Sequence, residues 1–404
     1  MRTSYKVRAY PTPEQAAVLN RTFGCVRLVW NKVLTWRRDR YHTQRITTSY
    51  AETDRYLTEL KRDPDLEFLS KVSSVPLQQT LRHQHTAFVN FFAGRARYPR
   101  YKSRQRKQSA TYTQSAFRWR EGRLYLARMM GVQLEVVWSW PEIDPASLEP
   151  TSVTVSREPC GRWYVSLAVE IPDPQQAPPT GAVVGVDLGV KDFAVTSDGE
   201  KIANARRLAM RERNLARYQR RMARKQSGSS NRAKAKVKVA RAHRKVAASR
   251  ADFLHKTSAR LVRDHDVIVI EDLAVQNMVR NRRLAKAISD CGWGEFRRQL
   301  EYKAAKYGRR LIVIDRWYPS SKTCSVCGHL LTELSLSTRA WCCPSCRTLH
   351  DRDVNAAKNI LAAGLAVSAC GGDVRHPGSP RAQSPQKQEP QPARAGIPAL
   401  QSEE

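Results

Sequence analysis

Two C-x-x-C pairs constrain this chain more than any other feature. CSVC at 324–327 and CPSC at 343–346 stand fifteen residues apart. Thiols at that spacing are expected to meet around one Zn²⁺ in a closed tetrahedral site, with Cys324, Cys327, Cys343 and Cys346 as ligands. Such a site is structural, because no coordination position stays open for a substrate. Residues 321–350 are therefore expected to fold as a zinc ribbon. Cys342 fits the turn less well than its neighbour and is expected to be a spare thiol.

The charge narrows the choice of partner. Lys and Arg number 70 against 37 Asp and Glu, a formal net charge of +33 over 404 residues. An excess this large points to a polyanion, above all to nucleic acid. No run of eighteen apolar residues occurs, and the start, MRTSYKVRAYPTPEQ, lacks the apolar core of a signal peptide. The expectation is a cytoplasmic, nucleic-acid-associated protein without a membrane, whose cysteines are reduced thiols or metal ligands.

The pattern of apolar residues divides the chain. SYKVRAY reads as a strand, followed by a capping-box helix start at Thr12, Pro13 and Gln15. Leu19, Phe23, Val26, Trp30 and Val33 then recur at helical spacing, and Leu77, Leu81, Phe88 and Phe91 or Phe92 mark a second helix. From FRWREGRLYL onward the period becomes two. This predicts a β-barrel from residues 1–11 and 111–172, with a helical insertion at 12–110. The Pro-rich stretch 173–181 is a linker. An α/β unit is expected over 182–320 and 351–366, and a Pro-, Gln- and Ser-rich disordered tail over 367–404. Within the α/β unit, residues 204–264 read as two long basic helices with Leu208, Leu215 and Met222, and Val239, Val246 and Phe253, repeating by seven. Their one-signed charge favours a phosphate backbone.

Strand, hairpin, helix, strand, helix, strand, helix is the order of an RNase H-like domain. Asp187 ends the apolar run AVVGVD, and Glu271 ends DVIVIE. An Asp in DRDVNAA would complete a carboxylate cluster, with Asp351 and Asp353 both available. Carboxylates converging in this way repel unless cations lie among them, so Mg²⁺ or Mn²⁺ is expected. Two such ions roughly 3.5–4 Å apart activate water and stabilise the leaving oxygen of a phosphodiester.

With GVDLGVKDFA, IEDL, YPSSKTCSVCG, WCCPSC and HDRDVNAAKNI in this order, the chain resembles the TnpB family, the insertion-sequence-encoded RNA-guided DNA endonucleases related to type V CRISPR effectors. The resemblance implies a wedge-like β-barrel carrying a helical recognition insertion, then a RuvC-like nuclease interrupted by the zinc ribbon. It implies a Mg²⁺-dependent endodeoxyribonuclease with a guide RNA derived from the element, acting on double-stranded DNA beside a short target-adjacent motif. The family pattern assigns catalysis to Asp187, Glu271 and Asp353, the last because it stands two before Asn355; Asp351 is the runner-up. Ser74 and Gln78 correspond to a region that approaches the motif duplex. A non-catalytic zinc-ribbon regulator of transposition is the competing reading, since charge and ribbon alone suffice for it.

Overall fold

The computed structural model describes residues 2–129, 131–172, 176–335 and 337–369. The predicted tail therefore lies outside the described residues from position 370. The chain opens with β1 (Arg2–Ala9), whose alternating burial suits a strand with one face on the core. α1 (Pro13–Gln44) starts at the expected capping box: Thr12 Oγ1 accepts from the Gln15 amide at 3.3 Å, and Gln15 Oε1 accepts from the Thr12 amide at 3.1 Å. α2 (Tyr50–Arg62) was not foreseen, although Ser49 and Glu52 form a second reciprocal cap. α3 (Ser74–Phe92) buries Leu77, Leu81 and Phe88, while Phe92 at its end is 73% exposed and Phe91 packs edge-on against Tyr98.

Strands fill the chain from these helices to the linker. They are β2 (Gln108–Thr113), β3 (Phe117–Arg120), β4 (Arg123–Leu126), β5 (Gln133–Leu134), β6 (Val136–Val137) and β7 (Pro150–Arg157), with β8 (Trp163–Glu170) closing the unit. They make a five-stranded sheet ordered β2-β7-β8-β1-β6 and a three-stranded sheet β3-β4-β5. The expected barrel is corrected to these two sheets; among the described residues β2 and β6 remain edges. The physical reason is local. β5 pairs with β4 and β6 with β1, so the chain changes sheets within 133–137, and two-residue strands are too short to zip the edges together. Val7, Leu19, Val26, Leu57, Leu77, Val153 and Leu167 share one core, so helices and sheet bury each other's apolar faces.

The second half begins with β9 (Val183–Asp187), β10 (Asp192–Thr196) and β11 (Lys201–Ala203). Next come α4 (Glu212–Ala223), α5 (Ser230–Asp264), β12 (Val267–Glu271), α6 (Val275–Met278), α7 (Ala285–Cys291), α8 (Trp293–Tyr307) and β13 (Arg310–Ile314). β14 (Ala340–Cys342), β15 (Leu349–Asp351) and α9 (Arg352–Ala369) complete the described elements. The first basic helix is shorter than expected. Asn204 accepts from the Arg206 amide and donates to the Val190 carbonyl, while Asp290 accepts from the Leu208 amide, and these bonds hold 204–208 out of the helix.

The sheet order is β11-β10-β9-β12-β13, with β9, β12 and β13 parallel and the hairpin strands antiparallel. Both faces are covered. Val184, Val186, Ile268 and Ile270 pack with Leu254, Leu261, Phe296 and Leu300 from α5 and α8, whereas Val269 and Ile312 pack with Ile360 of α9. Gly185 permits this second layer, since a Cβ there would overlap the Ala357 carbonyl and Leu361 amide of α9.

The linker is held at its C-terminal end. Asp266 accepts from the Thr180 and Gly181 amides, and buried Arg309 donates to both Asp266 and the Pro178 carbonyl.

Candidate active site and metal centre

Parallel pairing brings the first two acids together. Val186 lies opposite Ile270, so Asp187 and Glu271 follow at the same end of adjacent central strands. α9 crosses β9 with Asp353 in its first turn. Burial pushes the Asp187 carboxyl from 3.8 up to about 7, and the charges of Glu271 and Asp353 push the same way; Arg352 opposes them. Glu271 is also raised by burial, against a 2.5 Å hydrogen bond from Ser320 Oγ. Asp187 thus senses two carboxylates that lie far from it in sequence.

Asp351 does different work. It accepts from the Asp353 and Val354 amides, both at 3.1 Å, and pairs with Lys201 at 2.5 Å. Burial raises its carboxyl, but Lys201 and the amides outweigh that and hold it below the ordinary range. It caps α9, while Asp353 is the acid of this segment that bears on Asp187. Arg339, just before β14, lies 3.4 Å from Asp353.

Several contacts at this site were not expected from the sequence. Ser320 positions Glu271. Buried Asn359 donates to the Ser320 and Thr323 carbonyls at 2.7 and 2.6 Å; buried Asn355 donates to Thr323 at 2.7 Å and accepts from the Ser325 amide. The two amides thus fasten the Ser320 loop and the first cysteine turn to α9. Asp272, beside Glu271, pairs with Arg297 and Arg316. The phrase YPSSK held the only signal for Ser320, a hydroxyl in a Pro-bounded loop. The asparagines sit two and six places after Asp353, on a helix whose pattern is dominated by its apolar residues.

The four predicted thiols converge, with all ligand atoms within 4.8 Å of one another. Cys324 and Cys346, and Cys327 and Cys343, have sulfurs 3.6 Å apart. A zinc tetrahedron with Zn–S near 2.3 Å has edges of about 3.8 Å, so the donor set fits Zn²⁺. Each pair is shaped by the same turn: Gly328 donates to the Cys324 carbonyl, and Arg347 to that of Cys343, both at 2.9 Å. Gly328 and Arg347 both take positive φ, 76° and 58°. Cys342 lies outside the cluster, exposed, its thiol donating to the Arg347 carbonyl at 3.4 Å. His350 was not anticipated; its Nε2 is 3.0 Å from the Cys324 sulfur and its ring packs on Trp341.

The polar surface is strongly basic. α4 and α5 pack against each other and bury Leu215, Val239 and Val246, leaving Lys234, Lys236, Lys238, Arg241 and Lys245 exposed. Ser74 and Gln78 are both exposed and one helical turn apart in α3, remote in sequence from the acids. No helix among the described residues is long and apolar enough to cross a membrane.

Comparison with known proteins agrees with this organisation. Residues 166–282 match the family model OrfB_IS605, described as "Probable transposase". Residues 293–360 match "Cas12f1-like, TNB domain", and residues 1–45 a "Helix-turn-helix domain" of the same OrfB group. The "Putative RNA-guided DNA endonuclease" of Streptomyces pristinaespiralis is 53% identical over 99% of both chains. "Putative RNA-guided DNA endonuclease InsQ" of Escherichia coli K12 is 33% identical over 95% of this chain and 97% of its own. In fold, the chain is similar to the protein in the cryo-EM structure of the Cas12f1-sgRNA-target DNA complex, with a TM-score of 0.55, 12% identity, and coverage of 89% of this chain and 98% of that one. Identity of this degree over nearly the full length shows that the chain belongs to the TnpB family, the OrfB proteins of IS605-type insertion sequences.

Proposed function

We propose that this protein is an RNA-guided, divalent-metal-dependent DNA endonuclease of a transposable element. One observation carries the reading: Asp187 and Glu271 end adjacent parallel central strands, and burial together with the charges of Glu271 and Asp353 pushes the half-buried Asp187 carboxyl up to about 7. Asp187, Glu271 and Asp353 are the catalytic carboxylates, and the 3-2-1-4-5 arrangement of the sheet supports an RNase H-like, RuvC-type domain.

The carboxylate oxygens of Asp187, Glu271 and Asp353 are hard donors suited to Mg²⁺ or Mn²⁺. Bound there, the ions would activate water and offset charge on the leaving oxygen. The chain's own residues prepare this site. Ser320 orients Glu271, Asp351 fixes the start of α9, and Arg339 offsets part of the negative charge at Asp353. Cys324, Cys327, Cys343 and Cys346 would hold a structural zinc.

The exposed cations of α5 are suited to a phosphate backbone. The guide RNA comes from the element's end and reads the target by base pairing, while the protein reads a short adjacent motif through the α3 region that bears Ser74 and Gln78. The wedge-like role of the N-terminal sheets, the recognition role of α1–α3 and a cytoplasmic location belong to the same reading.

The test is guided cleavage by the purified ribonucleoprotein with Mg²⁺ or Mn²⁺. The wild type should cut a matched duplex, and Asp187→Ala should bind RNA and target without cutting. Guided cutting by that variant would refute the assignment.

A further inference from the structure

One aromatic side chain, three residues before the serine that bonds Glu271, is unusually exposed for its type. Of nine tryptophans in the chain, eight are buried or half-buried; Trp317 is 85% exposed. Tryptophan is highly buried on average, so an indole this exposed stands apart from the other eight.

Its backbone is firmly held. Asp315 accepts from the Trp317 amide through Oδ1 at 2.7 Å and from the Tyr318 amide through its carbonyl at 3.2 Å, closing a tight turn. Both flanks of the turn are tied to the catalytic strand end. On one side Arg316 pairs with Asp272, the residue after Glu271; on the other Ser320 Oγ donates to Glu271 itself. Tyr318 packs inward against the Ile312, Ile314 and Ile360 cluster, so the neighbouring aromatic serves the core and Trp317 does not. Three residues of chain span at most about 11 Å, which keeps Trp317 close to the Glu271 partner Ser320.

A solvated indole on a firmly held turn, a few residues from the serine that bonds a carboxylate of the proposed nuclease site, suits one ligand chemistry: the face of an unpaired nucleobase. Double-stranded DNA offers no such face. We infer that Trp317 is a stacking platform that seats a base of single-stranded DNA and so delivers the adjoining phosphodiester to Asp187, Glu271 and Asp353. This rests on the nuclease reading above. No covalent step is assigned to Trp317; it is a positioning residue.

The experiment uses the full chain with its guide RNA, in wild type, Trp317→Ala and Trp317→Phe. Strand binding is read separately from cutting, as the affinity of an Asp187→Ala complex for oligothymidylate. Trp317→Ala should weaken that affinity by about 5- to 150-fold, the span of base–aromatic stacking. Trp317→Phe should restore most of it, and guide RNA binding and zinc content should match wild type in both. In cleavage-competent chains, the apparent KM for a single-stranded substrate should rise in Trp317→Ala more than kcat falls.

Oligothymidylate affinity unchanged in Trp317→Ala overturns the inference. So does an equal loss in both variants, or a Trp317→Ala chain that fails to fold, since either would mean the indole serves packing. Failure of wild type to cut would refute the nuclease reading alone, because the binding measurement still judges the platform.

Discussion

Replacing Asp187 with Asn should remove cleavage and at the same time stabilise the magnesium-free protein. The Asp187 carboxyl is held at about 7 in the folded chain, against an ordinary value of 3.8. Between those values the folded state binds a proton that the unfolded state has released. Stability therefore falls as pH rises through this window, by 1.36 kcal/mol per pH unit. The accumulated cost is about 4 kcal/mol above pH 7 and about 2 kcal/mol at pH 5.5. The amide of the Asp187→Asn variant would titrate nowhere in this range and would carry no charge for Glu271 and Asp353 to repel.

Urea unfolding without added Mg²⁺, with zinc retained, measures the difference. At pH 8 and a slope of about 3 kcal/mol per molar, the variant's midpoint should lie about 1 M above wild type. The gap should roughly halve at pH 5.5. Adding Mg²⁺ should raise the wild type and narrow the gap from the other side, because a ligand of the folded state stabilises it by mass action. Equal midpoints at pH 8, or a gap indifferent to pH, would refute the argument that these carboxylates are held together at a cost.

Other substitutions probe the supporting structure. Cys343→Ser should lose the bound zinc and guided cleavage, whereas Cys342→Ser should keep one zinc per chain by atomic emission; metal loss in the latter would make Cys342 a ligand. Ser320→Ala deletes the 2.5 Å bond to Glu271 and should slow cleavage about 10- to 100-fold, with the acid limb of the pH–rate profile moving upward because that bond lowers the Glu271 carboxyl. An unmoved profile would count against this role. Gly185→Ala drives a methyl into the backbone of α9 and should cost about 1–3 kcal/mol or more, read as a lower melting temperature.

Much of this site was legible because its elements announce themselves locally. Asp187 and Glu271 each end an apolar run, and a run buried on both faces has to stop where the chain emerges. The cysteine spacing was equally plain. Spacing alone did not separate Asp351 from Asp353, because the distinction is made by Lys201, 150 residues away, and by the amides that Asp351 caps. The bonds made by Ser320, Asn355 and Asn359 were invisible for the same reason: they span 30 to 49 residues. The N-terminal sheets were misjudged where strands of two residues carry too little periodicity to reveal which sheet they join. α2 escaped notice because its apolar stripe is sparse, although its capping box was present in the letters.

The asparagine bonds from α9 give the zinc knuckle a second significance. Asn355 joins the backbone of the first cysteine turn to the helix that begins with Asp353, and Asn359 holds the loop whose serine orients Glu271. If the four thiols hold zinc and the three carboxylates magnesium, as proposed, two ion sites with opposite tastes in ligands are mechanically one object. Thermodynamic reciprocity then applies: whatever advantage an ordered zinc centre gives to magnesium binding, magnesium returns to zinc in equal measure. A cell short of zinc, or oxidising enough to pair these thiols, would disarm the proposed cutting site without touching a carboxylate.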